Sequence, residues 1–182
     1  MYQAIVFFDL DSTLFDDNKH VLPASVAAIH EMQQHHILPV IATGRNIFEI
    51  QYVLDGTGID SVVGANGSYV QYQGQRLAAA VIAPELLTAV TSFAQRQHDP
   101  IAYYTSQGFR LSQANADTTE NFQLLRLHPI VDPAWYATQQ INFLNVFNRD
   151  HDQLYQEKFS GQLTFVRNNP RCLDTMVNGV TK

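Results

Sequence analysis

Three short apolar runs mark the first third of the chain, and each ends on polar residues. AIVFF at 4–8 leads into Asp9-Leu10-Asp11, ILPVIA at 37–42 into Thr43-Gly44-Arg45, and SVVGA at 61–65 into Asn66-Gly67-Ser68. Unbroken runs of this kind, rich in Val, Ile and Phe, predict strands of a parallel sheet covered on both faces. Between the first two, Pro23 to about His35 predicts a helix, with Pro in its first turn and Val26, Ile29 and Met32 on one side. A second helix is predicted over Asn46 to Leu54, where Ile47, Ile50 and Leu54 align ahead of the DGTG breaker. Strand, helix, strand, helix, strand constrains the fold to a doubly wound α/β sheet, because parallel neighbours require crossover helices.

Beyond Gly67 the rhythm changes. Tyr69–Tyr72 and Arg76–Ile82 flank a Gln-Gly turn and predict a hairpin, Pro84 to Gln97 a helix, and Ile101–Thr105 with Phe109–Ser112 a second hairpin. A helix near Thr118–Leu125, a strand at Ile141–Phe147, a helix at His151–Phe159 and a strand at Leu163–Val166 follow. A turn over Arg167–Pro170 and an extended stretch at Cys172–Val177 complete a second, α+β unit of ordinary domain size.

The net charge of −6, with no basic stripe, argues against a nucleic-acid surface. Cys172 is the lone cysteine, which fits a reducing compartment. The chain has neither a secretion-signal pattern at Met1–Asp9 nor an apolar stretch of ~20 residues, so the expected setting is cytoplasmic, away from membranes.

Ligands of open α/β sheets bind beyond the carboxyl ends of the strands. There the chain offers an acid pair, a hydroxyl and an amide. Aspartate often serves only to cap a turn, but polar residues at all three strand ends favour a shared site. One carboxylate can attack phosphorus, and a second, two residues on, can act as acid and then base. Two acids facing a phosphate dianion need a divalent cation, and Mg²⁺ suits all-oxygen ligation. The Thr43 hydroxyl and the amides opening the Asn46 helix are placed to hold phosphate oxygens. The aromatics of IAYYT and INFLNVF read as core, with Tyr103 or Tyr104 as the ones able to reach a substrate, and His30, His35 and His36 lack companion zinc ligands.

DLDSTL at 9–14 resembles the first motif, DxDx[TV][LV], of the haloacid dehalogenase superfamily of phosphohydrolases, and ATGR at 42–45 resembles its second. GANGS and the placement of the second unit resemble the Cof-type subfamily (type IIB), and NGVTK at 178–182 resembles the stretch carrying that subfamily's third-motif lysine. The resemblance implies a partial, Rossmann-like doubly wound core over residues 1–82, an inserted α+β cap over 83–175, and a return to the core over 176–182. By position it makes Asp9 the nucleophile and a Mg²⁺ ligand. Asp11 becomes the acid/base, with its main-chain carbonyl on the metal, and Thr43 and Lys182 hold the phosphoryl group. Gly44, Arg45 and Asn66 line the pocket. The implied activity is Mg²⁺-dependent hydrolysis of phosphomonoesters of small metabolites such as sugar phosphates, through an aspartyl-phosphate. The alternative is a non-catalytic phosphate-binding or regulatory module.

The chain departs from the pattern twice. Ser12 stands where a glycine is common, and no acidic fourth motif follows Lys182. The second departure implies a shortened phosphatase, or one completed by another chain, with an incomplete sheet edge open to self-association.

Overall fold

Sequence order and spatial order coincide in the first half of the molecule. The computed structural model describes residues 1–182 and divides into a first unit, residues 1–79 with 181–182, and a second, residues 80–180. In the first unit β1 (Ala4–Phe8), β2 (Ile37–Ala42) and β3 (Val62–Gly64) pair in parallel. β4 (Tyr69–Tyr72) and β5 (Gln75–Ala79) continue the same five-stranded sheet as an antiparallel hairpin. The register sets Phe8 opposite Ile41 and Ala42 opposite Val63, so the segments after all three parallel strands emerge at one rim. Helix α1 (Pro23–Gln34) packs on β2, and Ile29 from it joins Leu10, Ile41, Ile50 and Val62 in the core. This is the α/β architecture expected from the alternating pattern.

Two local expectations need correction. β1 is not covered on both faces: it is the sheet's edge strand, and Ile5 and Phe7 are 55% and 60% exposed. The apolar run reported strand propensity correctly, but Ile5 and Phe7 point to the same face of the sheet, and no element packs over them there. The helix expected over Asn46–Leu54 is instead a 3-10 turn over Ile47–Glu49, followed by α2 (Gln51–Thr57). The Glu49 carboxylate accepts from the Asn46 amide at 2.7 Å, which favours a tight turn there. Ile50 caps that turn in a non-helical conformation, so α2 starts and ends later than the apolar spacing indicated.

The second unit is built on an antiparallel sheet ordered β7-β6-β8-β10-β9. Its strands are β6 (Ile101–Thr105), β7 (Gly108–Leu111), β8 (Phe143–Phe147), β9 (Leu163–Asn169) and β10 (Cys172–Val177). Helices α3 (Pro84–Gln97) and α5 (Asp152–Lys158) supply Leu87, Val90 and Tyr155 to a core with Tyr103, Leu144, Val146 and Leu173. Residues of the opposite parity on the strands pack with α4 (Ala116–Leu124), where Phe122 stacks on Phe109 and Phe109 on Tyr104. The turn expected over Arg167–Pro170 is shorter: β9 runs on to Asn169, which pairs with Cys172 of β10.

Candidate active site

The strand β1 ends one residue before Asp9, and the chain then bends sharply. Leu10–Leu14 forms a wide π-type turn closed by the Phe15 amide donating to the Leu10 carbonyl at 2.9 Å. The turn is broken inside at Asp11 and Ser12, and Ser12 sits in the left-handed region at φ 62°. This explains why glycine is common at that position: a Cβ there is tolerated at a cost of about 1 kcal/mol. The Asp9 carboxylate accepts from the Leu10 amide at 2.8 Å through one oxygen and from the Lys182 ammonium at 2.7 Å through the other.

Asp11 is gripped by two cations. Arg45 donates to it through Nε at 2.8 Å and through its terminal nitrogen at 2.9 Å, and Lys19 Nζ lies 2.7 Å from the same carboxylate. The Arg45 hydrogen bond is the main reason the Asp11 carboxyl falls to about 2; burial works against it, and Lys19 adds to it. Arg45 is itself locked, with only 13% of its side chain exposed and its guanidinium 5.4 Å from the Phe15 ring centre. The second cation was missed from sequence. Lys19 lies in an irregular loop where no periodicity marks it, and the one available sign was a single basic residue two positions after the acidic pair Asp16-Asp17.

At the second strand end, Thr43 is 1% exposed. Its hydroxyl oxygen accepts from the Arg45 amide at 3.2 Å, which leaves its own O–H to donate. The amides expected to cradle phosphate at the start of the Asn46 helix are already used, that of Arg45 by Thr43 and that of Asn46 by Glu49. Gly44 approaches the Asn66 side chain so closely that a Cβ there would lie 3.1 Å from its oxygen. Asn66 is buried in the left-handed region at φ 51°, and its amide donates to the Thr43 carbonyl at 3.2 Å.

Gly67, at φ 95°, lets the returning chain pass: a Cβ there would stand 2.4 Å from the Thr181 carbonyl oxygen. That close approach sets Lys182 beside Asp9. Asp9, Asp11, Thr43, Gly44, Arg45, Asn66 and Lys182 therefore all gather at this rim.

For a divalent cation, nowhere in the chain do three or more His, Cys, Asp or Glu side chains converge. The rim's donors are few and are all oxygen. That suits Mg²⁺, which retains several waters and takes one or two carboxylates plus substrate phosphate.

Other residues singled out in the sequence lie elsewhere. Tyr103 and Tyr104 are buried in the core of the second unit, and Cys172 is buried in β10 with its thiol pushed up to about 12 by burial. No helix is long and apolar enough to cross a membrane.

A profile of the haloacid dehalogenase-like hydrolases matches residues 6–182. "Putative phosphatase YkrA" of Bacillus subtilis (strain 168) is 23% identical over the whole of this chain, which spans 71% of that protein. The crystal structure of a hypothetical protein from Geobacillus kaustophilus HTA426 superposes with a TM-score of 0.89 at 28% identity, covering 100% of this chain and 71% of that one. The HAD subclass IIB sugar phosphatase BT4131 gives a TM-score of 0.80 at 21% identity, covering 98% of this chain and 71% of its own. With the family profile running from β1 to the lysine that meets Asp9, the chain belongs to the haloacid dehalogenase-like hydrolase family.

Proposed function

We propose that this chain is a Mg²⁺-dependent phosphatase that hydrolyses phosphomonoesters of small metabolites, sugar phosphates among them, through an aspartyl-phosphate on Asp9. The family membership and the phosphatase name of its B. subtilis relative support the class. The observation that carries the mechanism is the meeting of Asp9, Asp11, Thr43 and Lys182 at one rim of the sheet.

In the first half-reaction an Asp9 oxygen attacks phosphorus, the bond from phosphorus to the leaving oxygen breaks, and the departing alkoxide takes a proton from Asp11. Arg45 and Lys19 hold Asp11 ionised at rest. Loading it with a proton is favoured as the phosphate dianion comes alongside, because a like charge disfavours the carboxylate. In the second half-reaction water adds to phosphorus and gives its proton to the Asp11 carboxylate. The bond from phosphorus to Asp9 breaks, and inorganic phosphate departs. Throughout, the Lys182 ammonium offsets the negative charge gathered around Asp9, and the Thr43 hydroxyl donates to a phosphoryl oxygen. The Asp9 carboxylate and the Asp11 carbonyl are the groups that would hold Mg²⁺, which when bound would neutralise charge on the carboxylates and the phosphate.

The test is phosphate release from a panel of phosphomonoesters with Mg²⁺, with and without chelator. Mg²⁺-dependent release should fall by on the order of 10⁴-fold or more in Asp9→Asn. No release by the wild type over the panel, or undiminished release by Asp9→Asn, would refute the reading.

A further inference from the structure

The loop between Phe15 and Val21 brings the Lys19 ammonium to Asp11. Its ends pair as an antiparallel bridge, Phe15 with Val21. The Asp16 carboxylate accepts from the Asn18 amide at 2.9 Å and from the His20 amide at 2.8 Å, tying the tip into a compact turn. Lys19 occupies the left-handed region at φ 64°, as a residue closing a hairpin turn commonly does. Its carbonyl is pinned by the Tyr52 hydroxyl at 3.0 Å, and the Tyr52 ring stacks on Phe15, the same ring that supports Arg45.

Lys19 donates one of its three ammonium hydrogens to Asp11, and its side chain is 43% exposed, so two donors stay open to an incoming molecule. In the reaction proposed above, Asp11 contacts the leaving-group oxygen. A cation 2.7 Å from Asp11 Oδ1 then lies on the leaving-group side, within about 5.5 Å of that oxygen once a second hydrogen bond of ordinary length is added. An ammonium at that separation can hydrogen-bond a carboxylate oxygen borne on the carbon next to the leaving oxygen, because such an oxygen lies about 3 Å from the leaving oxygen.

We propose that Lys19 is a specificity-determining residue that binds a carboxylate or second phosphate on the leaving group, so that the preferred substrates are phosphomonoesters of small acidic alcohols. The inference rests on the phosphatase reading and names its substrate class. Arg45 cannot fill this role, because its side chain is buried and spent on Asp11.

A matched pair of esters isolates the effect. 2-Phosphoglycolate and 2-hydroxyethyl phosphate share a two-carbon skeleton and differ in a carboxylate against a hydroxymethyl group. Wild type is expected to favour phosphoglycolate by on the order of tenfold in kcat/KM, Lys19→Arg to keep most of that preference, and Lys19→Met to bring the ratio near one. Calorimetric titration of the Asp9→Asn protein and of Asp9→Asn combined with Lys19→Met, using the same two esters, reads the preference without turnover. An unchanged ratio in Lys19→Met overturns this proposal while leaving the phosphatase reading intact. Failure of the wild type to hydrolyse either ester, together with failure of Asp9→Asn to bind either, overturns this proposal; the phosphatase reading falls with it only if the wider panel of phosphomonoesters also gives no release.

Discussion

Strands β1 and β8 make an instructive pair. Each has five residues and nearly pure apolar composition, AIVFF and FLNVF. All five residues of β8 are buried, whereas β1 leaves Ile5 and Phe7 largely in solvent. The difference lies in their neighbours. β8 pairs with β6 on one side and β10 on the other, with helical side chains packed on both its faces, while β1 pairs with β2 alone. Composition specifies a strand; topology decides whether it is interior. Even the polar residue of β8 conforms, since Asn145 donates to Asp174 at 2.8 Å and is thereby paired.

The contrast can be tested from its strong side downward. Leu144→Ala in β8 removes a side chain with no exposure and is expected to cost about 2–5 kcal/mol, measured by denaturant titration. A loss under ~1 kcal/mol would mean that the second unit's core tolerates cavities as readily as an edge. An intermediate effect is expected at the rim. Because the folded Asp11 carboxyl is held at about 2, below its unfolded value, its contribution to stability is complete above the unfolded pKa and is lost as pH falls from ~4 towards 2. Solvent reaches this group, so the loss amounts to about 1 kcal/mol or less. Arg45→Met should flatten that slope in pH-dependent thermal melts. The smallest change in stability is expected from Ile5→Thr with Phe7→Thr, within about 0.5 kcal/mol for each. The same pair should reduce concentration-dependent self-association by light scattering, because β1 presents an unpaired, apolar edge. A large stability loss from this pair would show that β1 is buried in solution.

What the sequence disclosed follows the same division. Apolar runs and breakers located every strand within a few residues, and the polar ends of the first three pointed to the rim where Asp9, Asp11 and Thr43 lie. Features set by side chains meeting across loops were hidden. The 3-10 turn at Ile47–Glu49 depends on Glu49 reaching back to the Asn46 amide. The tie between Lys19 and Asp11 depends on a left-handed backbone that no hydrophobic period can signal. The use of the Arg45 amide by Thr43 removed a donor that reading from helix position had left open.

The ion pair between Asp9 and Lys182 joins groups 173 positions apart, with residues 80–180 folded between them. The lysine reaches Asp9 only across that span, and closing so long a loop costs an entropy that grows slowly with its length. Contacts of such sequence separation raise the mean separation of contacting residues, the quantity that slows the folding of single domains. By mass action, an anion that binds the rim only when Lys182 is in place would stabilise that arrangement over any in which the lysine has swung away.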